Sequence, residues 1–372
     1  MNKKSKFIGT LSLNINTDDF NYGAVLHSWA FQQFLLKNDY KCEIIDYITP
    51  HLENFDFINP ILGSIKAKRI KSLIKYILVF FPYKRRYKKF REFINSNMII
   101  SEKQYTQHTL NDETLKYDTL ICESDVIWYY GFFHGNYDKT FFLALDSMKN
   151  KKRIAYSPSM SSMKYIEETK EELKKLLNNL DYISCRETYE LETLKELSGK
   201  EVTHVMDPVL LLERKDYDKI ACKRIINDNY LLLYLPVDNN KKLRKVAKDY
   251  AKKNSLKILE ISTKLRPSLN HKVLTTAGVE EFISCIKYAD VVFTNSFHAI
   301  CFSVIYEKDF YAFTRSLNGK VIDICKTLGL EDRYLENNKI KKIEHIDYKK
   351  VTKRVEELKN RSQKWIINAL ND

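Results

Sequence analysis

The strongest constraint on this sequence is an alternation. Short runs rich in β-branched, leucine and aromatic residues take turns with segments whose apolar residues recur at helical spacing. KFIGTLSL, KCEIIDY, YDTLIC, KRIAYS, DYISC and EVTHVMD form one series of strand candidates, with helices over Tyr22–Lys37, Ile166–Asn178 and Glu187–Leu197. YLLLYLP, LKILEIS, ADVVFTN and KDFYAF form a second, with helices over Asn239–Lys253, Val279–Lys287, His298–Tyr306 and Val321–Leu328. Strands separated by helices predict parallel sheets with crossover connections. Two such series predict an α/β protein with two Rossmann-like domains facing each other across a cleft. The expected division is 1–207, 208–345 and a C-terminal helix within 346–372 that crosses back to the first domain. A length of 372 residues suits this, at about 150 residues per domain.

Several classes fall away. No run approaches the roughly 18 consecutive apolar residues of a membrane span. The basic start MNKKSK leads into a short apolar run without a small-residue cleavage site, so it reads as a first strand rather than a signal peptide. The seven cysteines are odd in number, widely spaced and free of CxxC, which points to reduced thiols in a cytoplasm and away from disulfides or zinc. GxGxxG, GxxxxGK[ST], HExxH, HxE with PCxxC, and GxSxG are all missing. This removes the dehydrogenase, P-loop, zinc-hydrolase and serine-esterase readings.

The positive charge is local. Eleven basic residues and no acidic one lie between Ser64 and Arg91, and without them the formal charge falls from +14 to +3. Ile70, Leu73, Ile74, Ile77, Leu78 and Phe81 follow helical spacing, and Pro82 is expected to end that helix. The segment 64–91, assigned to the N-terminal domain, reads either as a core-packed helix with a solvated lysine face or as an element at an anionic membrane surface. In the second reading Lys68, Lys71, Lys75, Lys84, Arg85, Arg86, Lys88 and Lys89 meet lipid headgroups. No nucleic-acid motif accompanies the patch, so nucleic acid is not the expected partner.

Ligands of open parallel sheets bind beyond the carboxyl ends of the strands. Four groups of polar residues stand at such strand ends. Asn21, Tyr22 and Gly23 open the first helix, where amides suit an anion or merely form a cap and turn. Ser124 and Asp125 follow YDTLIC, and Asp125 can hold a sugar hydroxyl, act as acid or base, or cap a turn. Arg186 follows DYISC and offers a fork for carboxylate or phosphate, or a salt bridge to Glu187 or Glu190. Thr294, Asn295, Ser296, Phe297 and His298 follow ADVVF. They put hydroxyl, amide and imidazole groups at a helix start, where an anion and a proton donor both fit.

These residues, in order, resemble the polysaccharide pyruvyl transferase family. The likeness rests on Asn21-Tyr22-Gly23-Ala24-Val25-Leu26, Cys42–Tyr47, Ser124–Trp128, Ile183–Glu187, Val205–Leu211, Thr294–His298 and Leu328–Arg333, spread over about residues 7 to 334. It implies a fold like that of GT-B glycosyltransferases. It also implies transfer of a carboxyethylidene group from phosphoenolpyruvate to a sugar with release of phosphate. No metal-ligating cluster is visible in the sequence, so chemistry without a metal or further cofactor is expected. Carried across, Arg186, Asn295, Ser296 and His298 bind the donor, and His298 is also the acid. Asp125 is the catalytic base. Asn21, Tyr22, Gly23, Glu123 and Ser124 lie on the acceptor side. Some members have an Arg where this chain has Ser296; Arg315 and then Lys320 are the candidate replacements. Glu123 stands where the family usually has Gly, which alters the acceptor pocket. The expected acceptor is a lipid-linked saccharide of capsular or exopolysaccharide synthesis, met at the inner face of the membrane. A nucleotide-sugar glycosyltransferase, with Glu260 as an ambiguous ribose contact, and a non-catalytic membrane-associated assembly protein remain the alternatives.

Overall fold

The computed structural model describes residues 6–16, 20–66, 70–236, 241–262, 271–313, 319–335 and 344–372. Arg315 and Lys68 lie outside the described residues, as do the side chains of Lys71 and Lys75. The chain divides into two compact units. The first comprises Met1–Phe55, Ile94–Leu211 and Glu356–Asp372; the second comprises Asp56–Phe93 and Leu212–Val355.

The first unit contains β1 (Phe7–Leu11), α1 (Tyr22–Lys37) and β2 (Lys41–Tyr47). The chain then runs through α2 (Pro60–Lys66) and α3 (Ile70–Asn97), which belong mainly to the second unit. It returns with β3 (Ile100–Tyr105), α4 (Gln107–Asn111), β4 (Thr119–Glu123), β5 (Lys152–Tyr156), α5 (Ile166–Leu177), β6 (Tyr182–Cys185), α6 (Leu191–Ser198) and β7 (Val202–His204). The seven strands form one parallel sheet in the order β3-β2-β1-β4-β5-β6-β7. The register sets Leu11 opposite Cys122, Glu123 opposite Tyr156, and Cys185 opposite His204. The carboxyl ends of five strands therefore finish at one level. β4 is buried along its whole length, as expected of a parallel strand covered on both faces.

The second unit carries α7 (Arg214–Asp218), β8 (Tyr230–Tyr234), α8 (Lys241–Lys253), β9 (Lys257–Ile261), β10 (Lys272–Leu274), α9 (Val279–Lys287), β11 (Val291–Thr294), α10 (Phe297–Ile305), β12 (Asp309–Ala312), α11 (Gly319–Leu328) and the start of α12 (Tyr348–Asn371). Its parallel sheet has the order β10-β9-β8-β11-β12, with Thr294 level with Tyr234 and Ala312. Leu231, Leu233, Leu243, Ala247, Phe293 and Tyr311 pack between the sheet and α8. The helix α12 starts in this unit, where Tyr348 Oη donates to Lys308 O at 2.6 Å. It ends in the first, where Ser362 Oγ accepts from Met206 N at 2.9 Å. Among the described residues no helix is long and apolar enough to cross a membrane.

The basic segment departs from expectation twice. Pro82 does not end its helix; α3 runs through it for 28 residues. A mid-helix proline costs about 3 kcal/mol. Here Tyr76, Val79, Tyr83, Arg86, Phe90 and Phe93 are buried on one continuous face spanning the proline, and that packing offsets the cost. The segment also belongs with the second unit, not the first. The buried Arg86 guanidinium donates to Ser262 O at 3.0 Å and to Thr275 O, and Lys89 pairs with Glu281. Gly278 permits this approach, since a Cβ there would stand 2.9 Å from Lys89 Cβ. Of the eight cations expected to face lipid, Arg86 and Lys89 are thus spent on anchoring α3. Lys84, Arg85 and Lys88 are exposed.

Candidate functional site

In the first sheet the chain reverses its direction of strand addition between β1 and β4, and their carboxyl ends frame the crevice where open sheets bind ligands. Three consecutive polar residues leave β4 here. Glu123 is fully buried, with Oε2 2.8 Å from His27 Nδ1 and Oε1 accepting from Ser28 Oγ. Ser124 and Asp125 both adopt left-handed backbone (φ 51° each), which non-glycine residues take only when their surroundings hold them there. Ser124 N donates to Tyr156 O at 2.9 Å and Ser124 Oγ to Asp207 Oδ2 at 2.7 Å. Asp125 Oδ1 accepts from Val126 N at 2.8 Å, and its carbonyl from Ser159 N at 2.9 Å. Asp125 Oδ2 lies 4.0 Å from His27 Nε2.

Burial works against charge on His27, but Glu123 and, behind it, Asp125 and Asp207 outweigh this and hold its pKa above the ordinary imidazole range. Burial likewise pushes Glu123 up, with His27 and Ser28 only partly opposing it. Arg186, beyond β6, is buried. Its Nε donates to Glu187 Oε1 at 2.8 Å and its Nη1 to Asp207 Oδ2 at 3.2 Å. A donor phosphate at Arg186 would therefore have to compete with two carboxylates. Glu190 accepts from Met160 N at 2.8 Å and is held far above the carboxylate range, first by burial and then by Glu187.

Asn21 caps α1, its Oδ1 accepting from Gly23 N (3.0 Å) and Ala24 N (3.3 Å), so two of the helix's first amides are already satisfied. Tyr22 and Gly23 are buried behind it. Sequence reasoning missed His27, Ser28 and Asp207. The available signal was a histidine and a serine inside the otherwise apolar first half of the helix that follows the first strand.

The raised pKa of Glu190 gives a prediction with a definite sign. A carboxyl whose folded pKa lies above its unfolded value stabilises the fold fully below the unfolded pKa, near 4.5, and that contribution is lost as pH rises toward the folded pKa. Gln keeps the acceptor for Met160 N and carries no proton to lose. Glu190→Gln is expected to gain stability relative to wild type as pH rises from 5 to 8.5, by at most about 1.4 kcal/mol per pH unit. Urea unfolding at three pH values checks it, and a constant difference would refute it.

In the second unit the change of direction falls between β8 and β11. Thr294 Oγ1 donates to Tyr234 O at 2.7 Å and accepts from Ser296 N at 3.0 Å. Ser296 caps α10, its Oγ accepting from Ala299 N at 3.3 Å. Asn295 and His298 are buried beside this helix start, the His298 ring meeting Phe297 edge-on at 5.2 Å. The expected group of Thr294 to His298 thus lies together at the carboxyl end of β11, beside the central strand β8. Lys320 opens α11, partly buried. Glu260 is taken up by Arg244, whose Nη2 donates at 2.6 Å, and by His271 Nε2 at 2.9 Å. Burial would raise its pKa, but those partners hold it below the usual value.

This architecture recurs in solved structures of low sequence identity. UDP-GlcNAc 2-epimerase from Methanocaldococcus jannaschii is 12% identical, with a TM-score of 0.53 and 98% of each chain covered. Arabidopsis thaliana UGT89C1 complexed with UDP-L-rhamnose is 9% identical, with a TM-score of 0.52, covering 99% of this chain and 98% of that one. The Candida albicans trehalose-6-phosphate phosphatase N-terminal domain is 11% identical, with a TM-score of 0.52 and 98% of each chain covered. The fold is that of the GT-B-type epimerases and glycosyltransferases. No curated protein matches the chain by sequence. Residues 21–316 match the polysaccharide pyruvyl transferase family, and the chain belongs to it. It is accordingly a transferase of polysaccharide biosynthesis with a saccharide acceptor.

Proposed function

We propose that the chain moves a carboxyethylidene group from phosphoenolpyruvate onto a pair of hydroxyls of a lipid-linked saccharide. The setting is capsular or exopolysaccharide synthesis at the cytoplasmic face of the membrane. The observation that carries this reading is the contrast between the two carboxyl-end sites. Glu123, Asp125, Glu187 and Asp207 outnumber Arg186 and His27 in the first, which repels a multiply charged anion and suits sugar hydroxyls. The helix start at Ser296, with Asn295 and His298, suits the donor.

In this scheme His298 delivers a proton to C3 of the enol, and positive charge develops at C2. A sugar hydroxyl attacks C2 and gives its proton to Asp125. The second hydroxyl then displaces phosphate at C2 and closes the ketal. The proton of the second hydroxyl leaves with the departing phosphate, and the scheme invokes no metal. Ser296, Arg315 and Lys320 remain proposed donor contacts. Arg186 is proposed to act by holding Asp207 and the Ser124–Asp125 turn. The occupation of Glu260 by Arg244 and His271 weighs against the nucleotide-sugar alternative, which needs an acidic group for a ribose.

A thermal-shift titration tests the proposal. Phosphoenolpyruvate at about 100 times its dissociation constant is expected to stabilise the protein by about 2.7 kcal/mol, and His298→Ala to lose most of that. A shift with a nucleoside diphosphate instead would transfer the assignment to glycosyl transfer. No shift with either would favour the non-catalytic assembly role.

A further inference from the structure

We infer that α3 is an insertion helix for an anionic bilayer, tethering the unit that carries His298, with an apolar first half that enters the lipid and a basic second half that meets the headgroups. The inference deepens the membrane part of the reading above and rests on it for its purpose. Its support is geometric. Nine large hydrophobic residues are strongly exposed among the described residues, and seven of them lie between Ile58 and Phe81. Single exposed apolar residues are ordinary; this concentration is not. Four of them, Ile74 (67%), Ile77 (56%), Leu78 (66%) and Phe81 (77%), stand at i, i+3, i+4 and i+7 on α3. Ile58, Leu62 and Ile65 are exposed on α2 and the turn before it.

The same face continues along the helix with a change of chemistry. Seven residues, about two turns, separate Ile77 from Lys84, Leu78 from Arg85 and Phe81 from Lys88. These three cations are exposed. The opposite face, from Tyr76 to Phe93, is buried in the second unit. The exposed face therefore cannot be reassigned to the core by rotating the helix. No acidic residue occurs between Asp56 and Glu92. An apolar stripe that passes directly into a cationic one, with the exposed Glu92 carboxylate 3.7 Å from Lys88 at its far end, complements a hydrocarbon layer edged by anionic headgroups. Sequence reasoning gave the lipid contacts to lysines and arginines; the exposed stripe gives half of the binding to insertion.

The test is co-sedimentation of the full chain with vesicles of phosphatidylcholine and phosphatidylglycerol in equal parts, and of phosphatidylcholine alone. Wild type is expected to bind the anionic vesicles. Replacing Ile74, Ile77, Leu78 and Phe81 by Gln, or Lys84, Arg85 and Lys88 by Gln, is expected to weaken binding at least tenfold, and only the second loss is mimicked by salt. Replacing the exposed Lys245, Lys248 and Lys252 of α8 by Gln controls for net charge and should change little. Phe81→Trp should add blue-shifted emission that brominated lipid quenches. Loss in the lysine variant with unchanged binding in the apolar one overturns insertion and leaves surface adsorption. No binding by wild type overturns the membrane reading itself. Self-association that the apolar variant abolishes, without vesicle binding, assigns the stripe to a second copy of the chain and overturns the inference. The phosphoenolpyruvate shift should be unaltered in every variant, which separates this test from that of the chemistry and confirms the fold.

Discussion

Arg186→Met is expected to destabilise the protein by about 4 kcal/mol, a fall in Tm of roughly 10 °C, because removing one partner of a buried ion pair strands the other. Two carboxylates are stranded here: Glu187 at 2.8 Å and Asp207 at 3.2 Å, both buried with the guanidinium. Against a typical domain stability of 5–15 kcal/mol this is a large fraction. Asp207 also accepts from Ser124 Oγ and, through Oδ1, from Val209 N at 3.1 Å, so its displacement releases the left-handed turn that presents Asp125. Arg186→Lys should rescue little, since an ammonium cannot supply two separated donors in one plane. Arg186→Met combined with Asp207→Asn should recover part of the loss by removing one stranded charge. Guanidinium unfolding of the four proteins measures it. If Arg186→Met instead keeps wild-type stability and loses only the phosphoenolpyruvate shift, the arginine contacts the donor, as its position after DYISC first suggested.

That contrast shows where sequence was informative. The strand series was legible because a parallel strand covered on both faces is largely apolar, as YLLLY is along its whole length and LIC is at the centre of β4. Thr294 to His298 was legible because a strand end, a capping serine and a helix start are neighbours in the chain. Pairings across the sheet were not. His27 meets Glu123 over 96 residues, and Arg186 meets Asp207 over 21, through a register that only the folded sheet sets. An arginine after a strand looks the same whether its charge awaits a ligand or is already matched. Pro82 misled for a related reason. Local propensity ends a helix there, and the buried face from Tyr76 to Phe93, seated against Ser262, Thr275 and Glu281, overrides it. The same contacts place the basic segment in the second unit, which no local pattern could indicate.

His298→Ala is expected to lower transfer of labelled pyruvate from phosphoenolpyruvate into lipid-extractable saccharide by at least about a hundredfold, the usual range for a lost general acid being 10²–10⁴. The fold should tolerate the change. α10 keeps its Ser296 cap, and His298 is one residue of a helix otherwise held by Ala299, Ile300, Phe302 and Val304. Ser296→Ala is the useful comparison. It removes the cap, at about 1 kcal/mol, and leaves the imidazole in place. If His298 supplies the proton, His298→Ala loses kcat far beyond any loss of stability, whereas Ser296→Ala loses stability and donor affinity together with modest change in kcat. In deuterated water the residual product of either variant should carry a single deuterium in the ketal methyl group, because C3 gains one proton from whatever acid remains. Equal losses in the two variants, both tracking stability, would make His298 a packing residue at the helix start and move the acid elsewhere, with Lys320 at the head of α11 the next to be replaced.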